Sequence, residues 1–278
     1  RLHARPPGRR GLGKGLLFGA LALAAVALLV ATLIPALAGQ LALMIPPERE
    51  RRLGDAVVEQ LQDLLALGGG AEPVLCTAAS GQAALATMTA RLDAGAALPY
   101  PVRVGVIDHP LVNAVAVPGG RILLFRGLID HAESAEEVAG VLAHELGHVV
   151  HRDPTVEALR AAGSAGILGL LVGDVVGAGI VVAASEAVLN ASYRREAEAR
   201  ADDTAIRLLA EAGLPSAPFA DFFRRMRARY GEVRGVFRYF ASHPALEARA
   251  ERAEAGDAVA GGAYEPVLGP AGWRALRG

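Results

Sequence analysis

His144-Glu145-Leu146-Gly147-His148 puts two imidazoles and a carboxylate within one predicted helix. Residues four apart share a helical face, so His144 and His148 can grip one metal ion from adjacent turns. Glu145 projects from the flank, within reach of a water on that ion, and can serve as its base. Paired neutral imidazoles suit zinc. A catalytic zinc also needs a third protein ligand and an open position. Val141, Leu142, Val149 and Val150 make this helix largely apolar. Buried histidines and a carboxylate there require a compensating partner, which favours a metal site over a polar surface turn.

The third ligand must come from another element. The metzincin pattern needs Gly at 151 and His at 154; the chain has His151 and Pro154, which excludes that class. His151 itself reads as a surface residue. A glutamate from a later helix is the common alternative, with Glu186, Glu196, Glu198 and Glu211 as candidates. Glu198 has Asp202 one turn beyond it on the same face. Such a pair can divide the work, one binding metal and the other accepting a ligand histidine's free ring N–H.

The elements that must position these residues are legible from pattern. Ser134 and Glu137 form a capping-box signature opening the HELGH helix, which should run through Val150. Residues 102–107, 113–117 and 121–125 read as strands, with Pro118-Gly119-Gly120 as a hairpin turn between the last two. Helical spacing covers 48–67, 80–92, 156–171, 176–212, 216–230 and 245–255. A few strands followed by many helices predict an α+β domain, mainly helical with a small sheet.

Leu16–Leu37 contains no charged residue and is long enough for the ~20-residue crossing of a bilayer. A core helix would keep a polar face. A cleaved signal peptide, favoured by Ala36-Leu37-Ala38, usually has a shorter apolar run. An uncleaved anchor over 16–38 is the preferred reading. Arg1, Arg5, Arg9, Arg10 and Lys14 precede it, whereas the residues after it are of mixed charge. The positive-inside rule then places the N-terminus in the cytoplasm. Residues 163–189 form a second apolar stretch. HELGH and the candidate glutamates flank it and must meet on one side. Two crossings would need ~40 apolar residues, so it reads as a buried or membrane-dipping helical pair. The expected organisation is a basic flank (1–15), the anchor (16–38), a helical region (46–98), a core carrying the metal-binding motif (99–256) and a C-terminal surface tail (257–278).

Composition removes other classes. The 278 residues hold 28 Lys+Arg and 29 Asp+Glu, a net charge of −1, without the basic excess of a nucleic-acid binder. Aromatic residues make up 5%, too few to suggest a base-stacking platform. The single cysteine, Cys76, excludes an internal disulfide framework and lies far from the candidate ligands. Arg1 stands in place of an initiator Met, as expected of a fragment or processed chain. The 53% hydrophobic content and mean hydropathy of +0.34 agree with membrane association. The Ala-, Gly- and Arg-rich composition points to a bacterial source, and so to an inner-membrane protein with its catalytic domain in the periplasm.

A set of motifs extends beyond HELGH: Asn113-Ala114, Pro118-Gly119-Gly120, Gly127-Leu128, Tyr193-x-Arg195-x-x-Glu198-x-x-Ala201-Asp202, and Ser242-His243-Pro244 with Arg249. In this order they resemble the membrane-associated gluzincin peptidase family of HtpX, BepA and the CAAX prenyl protease, and most of all its BepA/Oma-like branch. The resemblance implies one zinc ion per chain held by His144, His148 and Glu198, with Glu145 as general base and Asp202 behind the ligands. It gives His243 a place near the zinc, either as a donor to the tetrahedral intermediate or as a fourth ligand holding the enzyme latent. Two departures are visible: Arg194 where the family often has Ser, and Asp153 where it often has His. Neither is expected to touch the metal ligands.

The expected activity is hydrolysis of peptide bonds in unfolded or misassembled envelope proteins, a quality-control role implied mainly by the family. The strand after the turn, through Gly119, Gly120, Arg121 and Ile122, is expected to offer its edge to an extended substrate by main-chain pairing. A non-catalytic zinc-binding chaperone or assembly scaffold at the membrane is the alternative, disfavoured because a structural site needs no general base. An intramembrane protease would need more spans around the motif.

Overall fold

A computed structural model describes residues 9–28, 32–66, 74–96, 98, 100–172, 195–230, 246–257 and 262–278. The apolar N-terminal run is carried by helices α1 (Arg9–Leu28) and α2 (Ile34–Met44), with 29–31 outside the described residues. Among the described residues no helix is long and apolar enough to cross a membrane. The expected anchor over 16–38 includes residues 29–31, which lie outside the described residues. α1 exposes Leu16, Leu17, Phe18, Leu21 and Leu23. α2 packs along a later helix, α7 (Asp153–Val172), with Ala38 and Ala42 buried and Leu37, Leu41, Leu43 and Met44 exposed.

The strands are β1 (Arg103–Ile107), β2 (Ala114–Val117) and β3 (Arg121–Phe125), in the order β1-β3-β2. β3 pairs in parallel with β1 and antiparallel with β2. Its side chains alternate between two cores. Ile122 and Leu124 enter the one built with α6, whereas Leu123 and Phe125 enter the one built with α3. A strand buried on both faces belongs at the sheet centre, which explains the unbroken apolar run after Arg121.

This placement corrects the expected substrate strand. β3 has a partner on each side and no free edge. Gly119 and Gly120 adopt φ of +79° and +77°, open to glycine and costly for other residues. A Cβ at Gly119 would collide with Arg51 Cα, and one at Gly120 with the Tyr100 ring. Arg121 pairs with Asp55 at 3.2 Å, and Ile122 is fully buried. All four residues are committed to the fold.

The helices are α3 (Pro47–Ala66), α4 (Ala79–Asp93), α5 (Arg126–His131), α6 (Ala135–Val150), α7, α8 (Arg195–Glu211), α9 (Ala217–Tyr230), α10 (Leu246–Ala255) and α11 (Pro270–Arg277). α6 carries HELGH and has the predicted bounds. Ser134 Oγ accepts from Glu137 N–H at 3.2 Å, capping the helix. Glu137 in turn accepts from Glu133 N–H and pairs through both oxygens with Arg225 of α9. The tail differs from expectation. Val267, Leu268 and Leu276 are buried in the main core and α11 packs on α4, because the Gly- and Pro-rich tail still carries apolar side chains at helical spacing. Residues 173–194, including most of the second apolar stretch, lie outside the described residues.

Candidate metal centre

The site forms where α6 crosses α8. Gly147 is the point of closest approach: a Cβ there would stand 2.7 Å from Ala201 O and 2.8 Å from Ala201 Cα. Backbone atoms yield only if the helix moves, so glycine lets α8 bring Glu198 and Asp202 against the histidines. Gly147→Ala should push the helices apart and lower stability by about 1–3 kcal/mol. Thermal unfolding of the metal-free protein checks this, and an unchanged midpoint would refute the contact.

His144, His148 and Glu198 each present a donor atom, all within 4.8 Å of one another and all buried. The two Nε2 atoms lie 3.0 Å apart; Glu198 oxygens lie 3.6 Å from His144 Nε2 and 3.4 Å from His148 Nε2. A tetrahedral ion with ligands at ~2.0–2.2 Å separates its donors by about 3.3–3.5 Å. The residues therefore fit a zinc-sized ion. Glu196 is exposed and Glu211 pairs with Arg207, so neither competes with Glu198. Glu186 and His243 lie outside the described residues. His151 is half-buried against Thr204 Oγ1 at 3.1 Å.

Each ligand ring is held from behind. His144 Nδ1 meets Asp202 Oδ1 at 2.9 Å, and His148 Nδ1 meets Asp153 Oδ2 at 2.9 Å. Such contacts set the tautomer and turn Nε2 toward the shared position of the three donors, where Arg249 Nη2 also stands 3.1 Å from His144 Nε2. The second contact corrects the expectation that Asp153 stands away from the ligands: α6 ends at Val150, and the reversal into α7 brings Asp153 back under His148. Arg249 of α10 spans the other side. It donates from Nε and Nη2 to Asp202 at 2.9–3.1 Å and pairs with Glu198 through Nη1 at 3.1 Å. Its guanidinium also lies over the Phe223 ring at 4.8 Å. Arg249 was visible only as part of a motif. The signal for its role is the demand of two buried carboxylates for a cation.

These contacts polarise the histidines in opposite senses. Burial, then the Arg249 guanidinium, push His144 down to about 3 against the pull of Asp202. Burial alone would lower His148, but the hydrogen bonds to Asp153 and Glu198 outweigh it and lift that ring to about 9. Burial likewise opposes the charge on Asp202, yet Arg249 and His144 bring it down to about 2. A metal at this site needs both imidazoles neutral at the coordinating nitrogen. Beside this cluster, Glu145 is buried, and its Oε2 accepts from Ala116 N–H of β2 at 2.9 Å.

A HExxH helix, a glutamate from a following helix and a carboxylate free of the ligand set define a gluzincin-type metallopeptidase. Residues 79–256 match Peptidase family M48, and the chain belongs to that family. It is 29% identical over 209 residues to the metalloprotease LoiP of Escherichia coli, covering 72% of this chain and 80% of LoiP. It is 32% identical to the mitochondrial metalloendopeptidase OMA1 of Arabidopsis thaliana over 146 residues, 52% of this chain and 30% of that protein. A putative beta-barrel assembly-enhancing protease of Vibrio cholerae is 32% identical over 150 residues, 50% of this chain and 31% of its own length. The chain thus spans less than a third of the last two relatives. It is a metalloprotease by family.

Proposed function

We propose that the chain is a membrane-held zinc metalloendopeptidase that cleaves unfolded or misassembled proteins of the bacterial envelope. The observation that carries this reading is the convergence of the His144, His148 and Glu198 donor atoms beside Glu145. Zinc, when bound, supplies a Lewis acid that polarises a scissile carbonyl and lowers the pKa of water towards ~7. Glu145 accepts the water proton and returns it to the leaving amine. Ala116 N–H holds one of its oxygens in place. Asp202 and Asp153 keep both imidazoles facing inward, while Arg249 balances Glu198 and Asp202. An extended substrate would lie along β2, the sheet edge beside Glu145, and backbone pairing there selects flexible segments over a strict sequence. His243 keeps its proposed place near the zinc, as an oxyanion donor or a latent fourth ligand.

The membrane part of the proposal rests on the exposed apolar faces of α1 and α2 and on the basic residues Arg9, Arg10 and Lys14. The bacterial relatives LoiP and the beta-barrel assembly-enhancing protease support an envelope setting; the basic flank before α1 would then place the N-terminus in the cytoplasm and the catalytic domain in the periplasm. The test is cleavage of one protein presented both unfolded and folded to the full chain in detergent with zinc. Cleavage of the unfolded form alone is expected. Bound zinc with no cleavage of either form would favour the scaffold reading.

A further inference from the structure

Arg152 joins α6 to α7 and has φ +54°, the one left-handed non-glycine among the described residues. Glycine would occupy that conformation at lower cost. The side chain shows what arginine adds. Its Nη1 donates to Ala42 O at 2.7 Å and to Ile45 O at 3.4 Å, the end of α2. Ala42 O otherwise takes a long bond from the Ile45 N–H at 3.4 Å, and an arginine is well suited to cap such a helix end. The same nitrogen lies 3.7 Å from Glu50 Oε2, a fully buried carboxylate at the start of α3. Glu50 also accepts from Tyr100 OH at 3.3 Å and from the Thr155 hydroxyl.

The backbone of Arg152 is equally committed. Its N–H donates to Val149 O of α6 at 3.1 Å, and its C=O accepts from Thr155 and Val156 N–H in the first turn of α7. The next residue is Asp153, which holds His148 Nδ1 at 2.9 Å and Arg200 at 3.2 Å. One residue therefore links three things: the end of an apolar helix that packs on the catalytic domain, the reversal between α6 and α7, and the carboxylate that aims a candidate metal ligand.

We propose, on the metal-site reading above, that Arg152 is a positioning residue that makes the His148 ligand depend on the docking of α2. With α2 in place, its terminal carbonyls and Glu50 hold the Arg152 side chain and the left-handed backbone that sets Asp153. With α2 displaced, Arg152 loses two acceptors, the reversal relaxes, and Asp153 no longer fixes the His148 ring. The apolar N-terminal region is then part of the peptidase site and more than a tether.

The test uses the full chain in detergent, with zinc affinity measured by competition with a chromophoric chelator and unfolding followed by circular dichroism. Arg152→Gly allows the left-handed turn but removes the side chain that ties it to α2 and Glu50, so the backbone setting Asp153 is no longer held. It should weaken zinc binding about 10-fold or more, the scale of losing an outer partner of a metal ligand. Arg152→Lys, which retains one donor group, should recover part of the loss. Ala42→Leu leaves residue 152 intact but overfills the buried face of α2, and should weaken zinc binding to a similar degree. The double variant Ala42→Leu/Arg152→Gly should bind zinc about as well as either single variant, because both break one linkage. Wild-type affinity in the folded single variants, even with a lowered unfolding midpoint, would overturn the proposal, as would losses that simply add. Failure of the wild type to bind zinc would overturn the metal reading as well.

Discussion

Glu145→Gln is expected to lower kcat on an unfolded protein by about 10²–10⁴-fold, the usual contribution of a positioned general base. Glutamine has nearly the same volume, and its carbonyl oxygen can accept the Ala116 N–H bond that Glu145 Oε2 takes at 2.9 Å. It cannot accept the water proton. The fold and the metal should survive, since Glu145 is outside the set of His144, His148 and Glu198. Zinc content by elemental mass spectrometry and kcat on the same preparations separate the two properties. Wild-type turnover in this variant would remove Glu145 from the mechanism, and loss of zinc would make it a metal-site residue instead.

Glu198→Ala should reduce zinc affinity by more than the ~10–100-fold typical of losing an outer partner, because it removes a donor atom itself. The substitution also takes away the carboxylate 3.1 Å from Arg249 Nη1, leaving that buried guanidinium with Asp202 as its remaining acidic partner at the site. Equilibrium dialysis against a chelator should leave about one zinc on each wild-type chain and almost none on the variant. Full retention would move the third ligand elsewhere, with His243 the next residue to test.

The outcome for the two acidic residues flanking the ligands shows what pattern can reach. Glu198 and Asp202 are one turn apart on a single helix, a spacing that allows one to face a metal and the other to meet His144, and the family resemblance implies that division. Asp153 supports His148 in the same way, but its place depends on a reversal after Val150 through a left-handed Arg152. No periodicity announces a single residue in that conformation. Arg249 is 51 positions beyond Glu198, and only the packing of α10 against α8 reveals that it serves both carboxylates.

The sheet carries the same lesson. β1, β2 and β3 are readable from alternation and the Pro118-Gly119-Gly120 turn, with bounds within a residue of those observed. Strand order is a different property, because local pattern records which residues favour extended backbone and says little about which strand becomes central. The parallel pairing of β1 with β3 puts β3 in the middle and leaves β2 as the edge beside Glu145.

The sequence by itself determined the HExxH motif, the α+β class and the bounds of α6, and its motif order, through the family resemblance, singled out Glu198 and Asp202 among the candidate carboxylates. Only the tertiary structure decided that α2 docks beside the site, that Gly147 sets the approach of α8, and that Asp153 and Arg249 hold the ligands. Those contacts join residues whose separation along the chain carries no regular period, and they are selected by shape and by the need of each buried charge for a partner.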